Sequence, residues 1–171
     1  MDQGPPDFIA SASDAERQEI AAAFKLDSAD LAPLPIETVS TGLAYLIVPL
    51  RSGLDRARPA RADLEAMLGR WSASFVYLLD TDRIEGRTWN NDGVIEDIAT
   101  GSAAGPVAAQ GQKHKLGAPD TPTTLRQGRF VGRPSEIIMT AFGSSAHIER
   151  VEVAGAVAFV GGGSILTPRP S

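Results

Sequence analysis

The chain has 171 residues and a net charge of −5, with 43% hydrophobic and 22% charged residues. This balance predicts a folded protein with a buried core and argues against nucleic acid or an anionic membrane as a partner. The chain contains no cysteine, which excludes disulfides, thiolate metal sites and a cysteine nucleophile. It also fits a reducing cytoplasm, where we expect the protein to act.

Two helices are predicted in the first half of the chain. Ser13 and Glu16 have the spacing of a capping box, and the apolar residues after them predict a helix from about Asp14 to Phe24. A second helix fits Arg61–Leu68, with Gly69 placed to end it.

Strands are predicted where apolar residues run continuously or alternate with polar ones. Two runs are continuously apolar, as expected for strands covered on both faces; they are 43–48 and 74–79. Two later runs, 136–142 and 148–153, alternate or nearly alternate, and a third strand-like run at 156–160 follows Gly155. A glycine turn at 161–163 precedes a short strand and a proline-rich tail.

The region from Ser102 to Gln110 is built almost wholly of small apolar residues and has no charged face. A helix without a polar face is normally buried, so we expect a central helix that begins near Thr100, with Pro106 late in its first turn or at a kink. The predicted elements together describe an α+β fold, with strands in the majority and a buried helix packed inside a curved sheet.

The start of this helix is the candidate site. Thr100 or Ser102 can cap it, and the amides of Gly101, Ser102 and Ala103 would then be free donors at the positive end of the helix dipole, ready for a carboxylate or phosphate. Asp97, a few residues upstream, is a candidate proton donor or acceptor at the same position.

The same residues also allow a purely structural interpretation. A Thr-Gly-Ser sequence before an alanine-rich stretch is usually only a capped helix, and Glu96 and Asp97 would most often be solvated loop acids. Because neighbouring side chains on an extended segment point to opposite sides, at most one of these two acids should enter a site.

The segment from Gly93 to Pro106 resembles the Gly-x-x-Glu-Asp-Pro-Ala-Thr-Gly-Ser-Ala motif of the PhzF-like (phenazine biosynthesis-like) isomerases. Three further segments resemble that family in the same order. They are 39–50 (Ser-Thr-Gly-Leu-Pro-x-Leu-Ile-Val-Pro in the family), 127–135 (Gln-Gly-x-x-Met-Gly-Arg-Pro-Ser) and 153–163 (a closing Val-Gly-Gly strand and turn). Four ordered matches over most of the chain make the resemblance specific.

The resemblance implies one half of a diaminopimelate epimerase-like fold, a curved mixed sheet wrapped around a buried central helix. Residues 1–171 would form a single domain, corresponding to the carboxy-terminal half of a family member. Such members are isomerases that move protons on small acidic metabolites without a metal or organic cofactor, in a cleft between two similar halves. Carried over to this sequence, Asp97 would be catalytic, and Thr100, Gly101 and Ser102 would bind the substrate carboxylate.

The chain departs from the family in two respects. Ile98 and Ala44 stand where the family has proline, and we expect Ile98 to loosen the approach to the helix. In addition, nothing resembles the amino-terminal half, which in the family carries the general-base glutamate, and the first residues look like the end of the crossover between the halves.

Two hypotheses therefore remain open. The chain is a cofactor-independent isomerase of a biosynthetic process, completed by an amino-terminal half chain or by a homodimer partner. Alternatively, it is a catalytically inactive half-domain that binds small acids or acts as an interaction module.

The remaining polar residues suggest no second site. We expect His114 to be a solvated residue at a helix end and His147 to begin a strand, partly exposed. Arg133 is interpreted first as structural, at a strand start. No His, Asp and Glu spacing indicates a metal site.

Overall fold

The computed structural model describes residues 1–61 and 63–164, in which eight strands form one mixed sheet. The strands are β1 (Asp7–Ser11), β2 (Glu37–Ser40), β3 (Ala44–Leu50), β4 (Phe75–Asp80), β5 (Glu85–Arg87), β6 (Thr123–Gln127), β7 (Ser135–Ser144) and β8 (His147–Ala154). The helices are α1 (Asp14–Ala22), α2 (Leu64–Leu68) and α3 (Gly101–Lys113), with 3₁₀ turns at Ser28–Asp30, Gly69–Trp71 and Arg129–Val131. The predicted α+β class is confirmed. No helix within the described ranges has the length and apolarity needed to cross a membrane.

The sheet curls around α3. Its strands lie side by side in chain order; the β3–β4 and β5–β6 pairs are parallel and the others antiparallel. The first residues of the chain lie along β8, where the Gln3 amide donates to the Val151 carbonyl at 2.9 Å and the Val151 amide donates to Gly4 at 3.0 Å. This segment leads directly into β1, so it links the two ends of the curved sheet.

Two apolar cores lie on opposite faces of the sheet. Along β3, Tyr45 and Ile47 pack against α3, whereas Leu46 and Val48 pack against the outer layer that includes α1 and α2. Side chains alternate between the faces of a strand, and here both faces are covered. This explains why the β3 and β4 sequences are continuously apolar.

The central helix α3 is buried, as predicted. Its residues 103–110 are all buried, Pro106 lies inside the helix, and Thr100 is its N-cap residue. Gly105 lies where a Cβ atom would overlap the side chains of Gln3 and Thr41. The small residues therefore allow neighbouring chain segments to approach the helix closely.

Several element boundaries differ from the predictions. The capping box at Ser13 forms, but α1 ends at Ala22, and the chain turns through Lys25 at a positive φ. The second helix begins at Leu64 and continues past Gly69 as a 3₁₀ turn, which ends at Ser72 in the left-handed conformation.

The strand predicted at 156–160 was wrong. These residues form no strand and are exposed beyond the end of β8. A strand needs a hydrogen-bonding neighbour, and the sequence pattern alone does not supply one. The short strand predicted after the glycine turn falls on residues 165–171, outside the described residues.

Candidate functional site

The four predicted site residues lie together at the amino-terminal end of α3. Asp97 is exposed on the loop that enters the helix, and Thr100 is buried at the helix start. Gly101 and Ser102 are the first two residues of the helix. The candidate site is thus one short continuous segment, residues 97–102, at the start of α3.

The carboxylate of Asp97 is bonded at both of its oxygen atoms. The Thr100 hydroxyl donates to Oδ2 at 2.6 Å, and the Ile98 amide donates to Oδ1 at 2.8 Å. Ile98 stands where the resembling motif has proline, which has no N–H to donate. The departure from the motif thus gives the Asp97 carboxylate one donor that a proline could not supply.

A buried glutamine beneath this loop joins it to the sheet. Gln127, at the end of β6, is 1% exposed. Its Nε2 donates to the Asp97 carbonyl at 2.9 Å and to Thr100 Oγ1 at 2.8 Å. Its Oε1 accepts from the Thr100 amide at 3.2 Å and from the Tyr77 hydroxyl at 2.9 Å. One side chain therefore forms hydrogen bonds with both ends of the loop, Asp97 and Thr100.

Ser102 is paired with a tyrosine of the inner core. The Ser102 and Tyr45 hydroxyl oxygens are 2.8 Å apart, and Tyr45 is 3% exposed. Burial raises the pKa of Tyr45; the hydrogen bond with Ser102 opposes this, and the charge of Asp97 adds to it. Burial likewise raises the pKa of Tyr77, so both phenols keep their protons at neutral pH.

Two of the three predicted amide donors are free of intramolecular bonds. No described residue accepts a hydrogen bond from the amides of Gly101 or Ser102, but the Ala103 amide donates to the Thr100 carbonyl at 3.1 Å. The prediction was therefore wrong for Ala103, because the first helical turn uses that donor. The Thr100 side chain also does not cap the helix; its hydroxyl donates to Asp97 instead.

Glu96 anchors the same loop from the opposite side. Its carboxylate accepts two hydrogen bonds from the buried Arg87 guanidinium, at 2.8 and 2.6 Å. Arg87 also donates to the carbonyls of Leu54 and Ala57 and lies over the ring of Phe130. The expectation of a solvated Glu96 was wrong, whereas the two adjacent acids do point to different surroundings.

The helix start opens onto a groove of about 530 Å³, to which Ala99 and Gly101 contribute. Apolar residues of β7 and β8, Ile137 and Val153, form part of its wall. A separate cavity of about 50 Å³ lies farther along α3, and none of its lining residues is titratable. Of these two cavities, the groove is the one that combines space for a small molecule with a residue of the helix start.

The other polar residues considered lie elsewhere. His114 is not solvated as predicted: its Nε2 is 2.6 Å from Oε2 of the buried Glu37, which also accepts from Lys113 at 2.6 Å. This cluster is at the carboxy-terminal end of α3. His147 begins β8 and is exposed, as predicted, and Arg133 is exposed just before β7.

Sequence reasoning assigned no role to Gln127, Tyr45, Tyr77 or Arg87. A signal existed for the tyrosines, because a phenol in a continuously apolar strand must find a hydrogen-bond partner inside the protein. Gln127 begins the segment 127–135 that resembles the family, which marked the residue but not its contacts. No comparable signal existed for Arg87, whose carbonyl partners are distant in sequence.

Comparisons with known proteins bear on the family and the fold of the chain. Residues 1–163 match the model of the phenazine biosynthesis-like protein family. The chain is 31% identical over 172 residues to the trans-2,3-dihydro-3-hydroxyanthranilate isomerase of Pseudomonas fluorescens, covering 97% of this chain and 58% of that protein. It is 29% identical over 168 residues to the uncharacterized isomerase YddE of Escherichia coli O157:H7, covering 91% of this chain and 56% of that protein.

Two solved structures share the fold. A predicted epimerase from Pseudomonas aeruginosa aligns with a TM-score of 0.80 at 42% identity, covering 93% of this chain and 58% of that one. A PhzF-family protein from Bacillus anthracis aligns with a TM-score of 0.73 at 23% identity, covering 91% and 56%. The fold implied by the resemblance is confirmed, and the chain spans little more than half the length of the relatives it matches.

Proposed function

This chain belongs to the phenazine biosynthesis-like protein family, and on that premise we propose that it carries one side of an isomerase site for a small carboxylate-bearing metabolite. The observations that carry the proposal lie at the start of α3: the Asp97 carboxylate is held there by the Thr100 hydroxyl at 2.6 Å, and no described residue accepts a hydrogen bond from the amides of Gly101 and Ser102. The amides would bind the substrate carboxylate, since a helix amino terminus favours an anion.

Asp97 would exchange a proton with the bound substrate. A C–H bond of the substrate breaks, its proton moves to a carboxylate oxygen, and a proton is returned at another carbon. The isomerisation is redox-neutral, so the proposed step requires neither a cofactor nor an oxidant. The Tyr45 phenol beside Ser102 is compatible with an anion site, because it keeps its proton and adds no competing negative charge.

A second chain would complete the site. In this proposal residues 1–171 correspond to the carboxy-terminal half of a family member, and the rest of the site comes from the other half; the alignment covers 58% of the P. fluorescens isomerase. Leu43, Val94 and Ile95 are exposed apolar side chains, as are Val157 and others in the segment after β8. Exposed apolar surface of this kind favours association with a partner.

We propose that this partner is an amino-terminal half chain and that the two chains act in the cytoplasm, with which a cysteine-free composition is compatible. The segment 155–163 would add to a sheet edge of the partner, since it has a strand-like sequence but no strand partner among the described residues. A second copy of this chain is the competing occupant.

The activity test measures deuterium incorporation into trans-2,3-dihydro-3-hydroxyanthranilate in D₂O. The chain is assayed alone and mixed with the part of the P. fluorescens isomerase that the alignment leaves uncovered. We expect exchange only in the mixture, and D97N should reduce it by about 10²- to 10⁴-fold, the usual contribution of a general acid or base. Asp92, in the exposed turn before the loop, provides the control D92N, which should retain full activity.

Other outcomes would reject the enzyme hypothesis. If the mixture exchanges no proton, the enzyme hypothesis fails. If the mixture is active but D97N and D92N behave alike, Asp97 is not the proton-transfer group. Calorimetric binding of the same compound without exchange would support the inactive small-acid-binding module instead.

A further inference from the structure

Tyr45 stands at a position that the strand motif of the family leaves open. In the segment 39–50, which resembles Ser-Thr-Gly-Leu-Pro-x-Leu-Ile-Val-Pro, Tyr45 falls on the x. Its hydroxyl oxygen nevertheless lies 2.8 Å from that of Ser102, 57 residues later at the start of α3. The motif therefore does not specify this contact, which is a feature of the present chain.

The surroundings of Tyr45 hold its phenol in place. Its ring centroid lies 5.5 Å from that of Phe75 on β4, and β3 is paired on both sides, with β2 and with β4. Tyr45 is only 3% exposed, whereas Ser102 is half-buried. Tyr45 thus has almost no surface with which to touch a ligand, so its effect on a ligand would pass through Ser102.

Either hydroxyl can donate in the free protein, but one arrangement suits a bound anion. If Ser102 donated to Tyr45, the lone pairs of Ser102 Oγ would face the anion that its own backbone amide attracts. If Tyr45 donates, Ser102 Oγ accepts and its proton is free for the anion. The phenol is also the more acidic hydroxyl and hence the better donor, and burial keeps its proton in place by raising the pKa of Tyr45.

We propose that Tyr45 is a positioning residue: by donating to Ser102, it directs the Ser102 hydroxyl proton toward the substrate carboxylate and makes the subsite selective for acceptor groups. This inference rests on the proposed function, because it concerns the same site. Together with the free amides of Gly101 and Ser102, the groups offered to the ligand are then all donors. A carboxylate accepts from all of them, whereas a carboxamide of the same shape turns an N–H group toward one of them.

The test measures the binding of benzoate and benzamide to the full ¹⁵N-labelled chain, through the amide shifts of Gly101 and Ser102. The wild type should bind benzoate at least about tenfold more tightly than benzamide. Y45F keeps the ring beside Phe75 and removes the hydroxyl. It should bind benzoate about threefold to tenfold more weakly, as expected for one hydrogen bond, and should lose part of the preference over benzamide.

Two further variants separate a positioning role from a structural one. Because Tyr45 acts through Ser102, Y45F should change the benzoate affinity little in a chain that already carries S102A. T38V removes another buried hydroxyl, which donates to the Trp71 carbonyl on the face of the sheet away from α3. It should retain the benzoate affinity of the wild type even if it lowers the thermal midpoint.

The positioning role is overturned if Y45F binds benzoate as tightly as the wild type, or if Y45F causes the same loss with and without S102A. A wild-type chain that binds both compounds equally also overturns it, and this result does not depend on the folding of any variant. If the wild type binds neither compound, the anion site of the proposed function is rejected together with this inference. If benzoate binds the wild type and Y45F alike, only the role of Tyr45 is rejected.

Discussion

Arg87 is buried and supports the loop that carries the candidate site through its ion pair with Glu96. Its guanidinium is enclosed by the carboxylate of Glu96, two backbone carbonyls and the rings of Trp89 and Phe130. The ion pair joins β5 to the loop that carries Asp97. Removing one partner of such a pair leaves the other buried and unpaired, which costs far more than the loss of a surface ion pair.

We therefore expect R87M to lower the free energy of unfolding by about 3 kcal/mol, because Glu96 would remain buried without its partner. Arg70 provides the control: it also lies over a tryptophan ring and pairs with Glu19, but its side chain is 46% exposed. R70M should cost about 1 kcal/mol or less. Urea denaturation of both variants measures the difference, and equal losses would contradict the role assigned to Arg87.

A second residue-scale prediction concerns acid stability. The hydrogen bond from Arg56 lowers the pKa of Asp30 to about 2; burial opposes the shift, while the Asp27 amide and Ser52 assist it. Because the folded-state pKa lies below that of the unfolded chain, the ionised group stabilises the fold above about pH 4 and loses this effect as the pH falls to about 2.

D30N should accordingly be less stable than the wild type near neutral pH, and the gap should narrow between about pH 4 and about pH 2. The exposed neighbour Asp27 gives the control D27N, which should differ little at any pH. Thermal unfolding at a series of pH values makes the comparison. A gap for D30N that stays constant with pH would mean that the charge of Asp30 is not responsible.

At the scale of an element, α3 contains two internal glycines in opposite surroundings. A Cβ at Gly105 would overlap Gln3 and Thr41, whereas a Cβ at Gly111 would meet nothing within 4 Å. Glycine weakens a helix interior through its larger loss of backbone entropy, unless the missing side chain is needed for packing. The same substitution should therefore have opposite effects at the two positions.

G111A should raise the free energy of unfolding by about 0.5–1 kcal/mol, and G105A should lower it by about 1–3 kcal/mol. G105A should also displace Gln3, whose Nε2 donates to the Gly101 carbonyl at the helix start. Denaturation curves give the two energies, and amide chemical shifts report on Gly101. If both alanines stabilise the protein, the close approach of Gln3 to α3 is not required.

On the scale of the whole molecule, the curled sheet encloses α3 but leaves the segment after β8 outside. In that segment Val157, Phe159 and Val160 are 94%, 89% and 96% exposed. Such side chains contribute little to the stability of the isolated chain, and their burial would favour association.

Replacing Val157, Phe159 and Val160 together with serine should leave the thermal midpoint of the chain nearly unchanged, since exposed substitutions seldom alter stability by more than about 0.5 kcal/mol. The same variant should bind the amino-terminal partner at least about tenfold more weakly, because it loses apolar area at the interface. Calorimetry measures the binding, and centrifugation of the chain alone tests self-association. Unchanged affinity would exclude this segment as the docking surface.

Local sequence predicted most elements because their cause is local. The capping residue Ser13 lies beside the helix it starts, and the small residues after Thr100 exclude a solvent-facing helix. Local sequence could not predict whether 156–160 forms a strand, because a strand forms only where another strand supplies its hydrogen-bond partners. The candidate site segment was identified from its motif and stays a prediction. Within it, the Ala103 amide and the Thr100 hydroxyl were assigned wrong partners, because both groups donate to other residues within one turn.

The sequence by itself determined the class of fold, the burial of α3 and the segment that holds Asp97, Thr100, Gly101 and Ser102, because periodicity, capping and composition act over neighbouring residues. Only the tertiary structure decided how that segment is held. The contacts of Gln127 and Tyr77 with the loop, of Tyr45 with Ser102 and of Arg87 with residues 54–57 and 96 mostly join strands to loops far away in the chain. Such contacts depend on the curvature and register of the sheet, which no local pattern encodes.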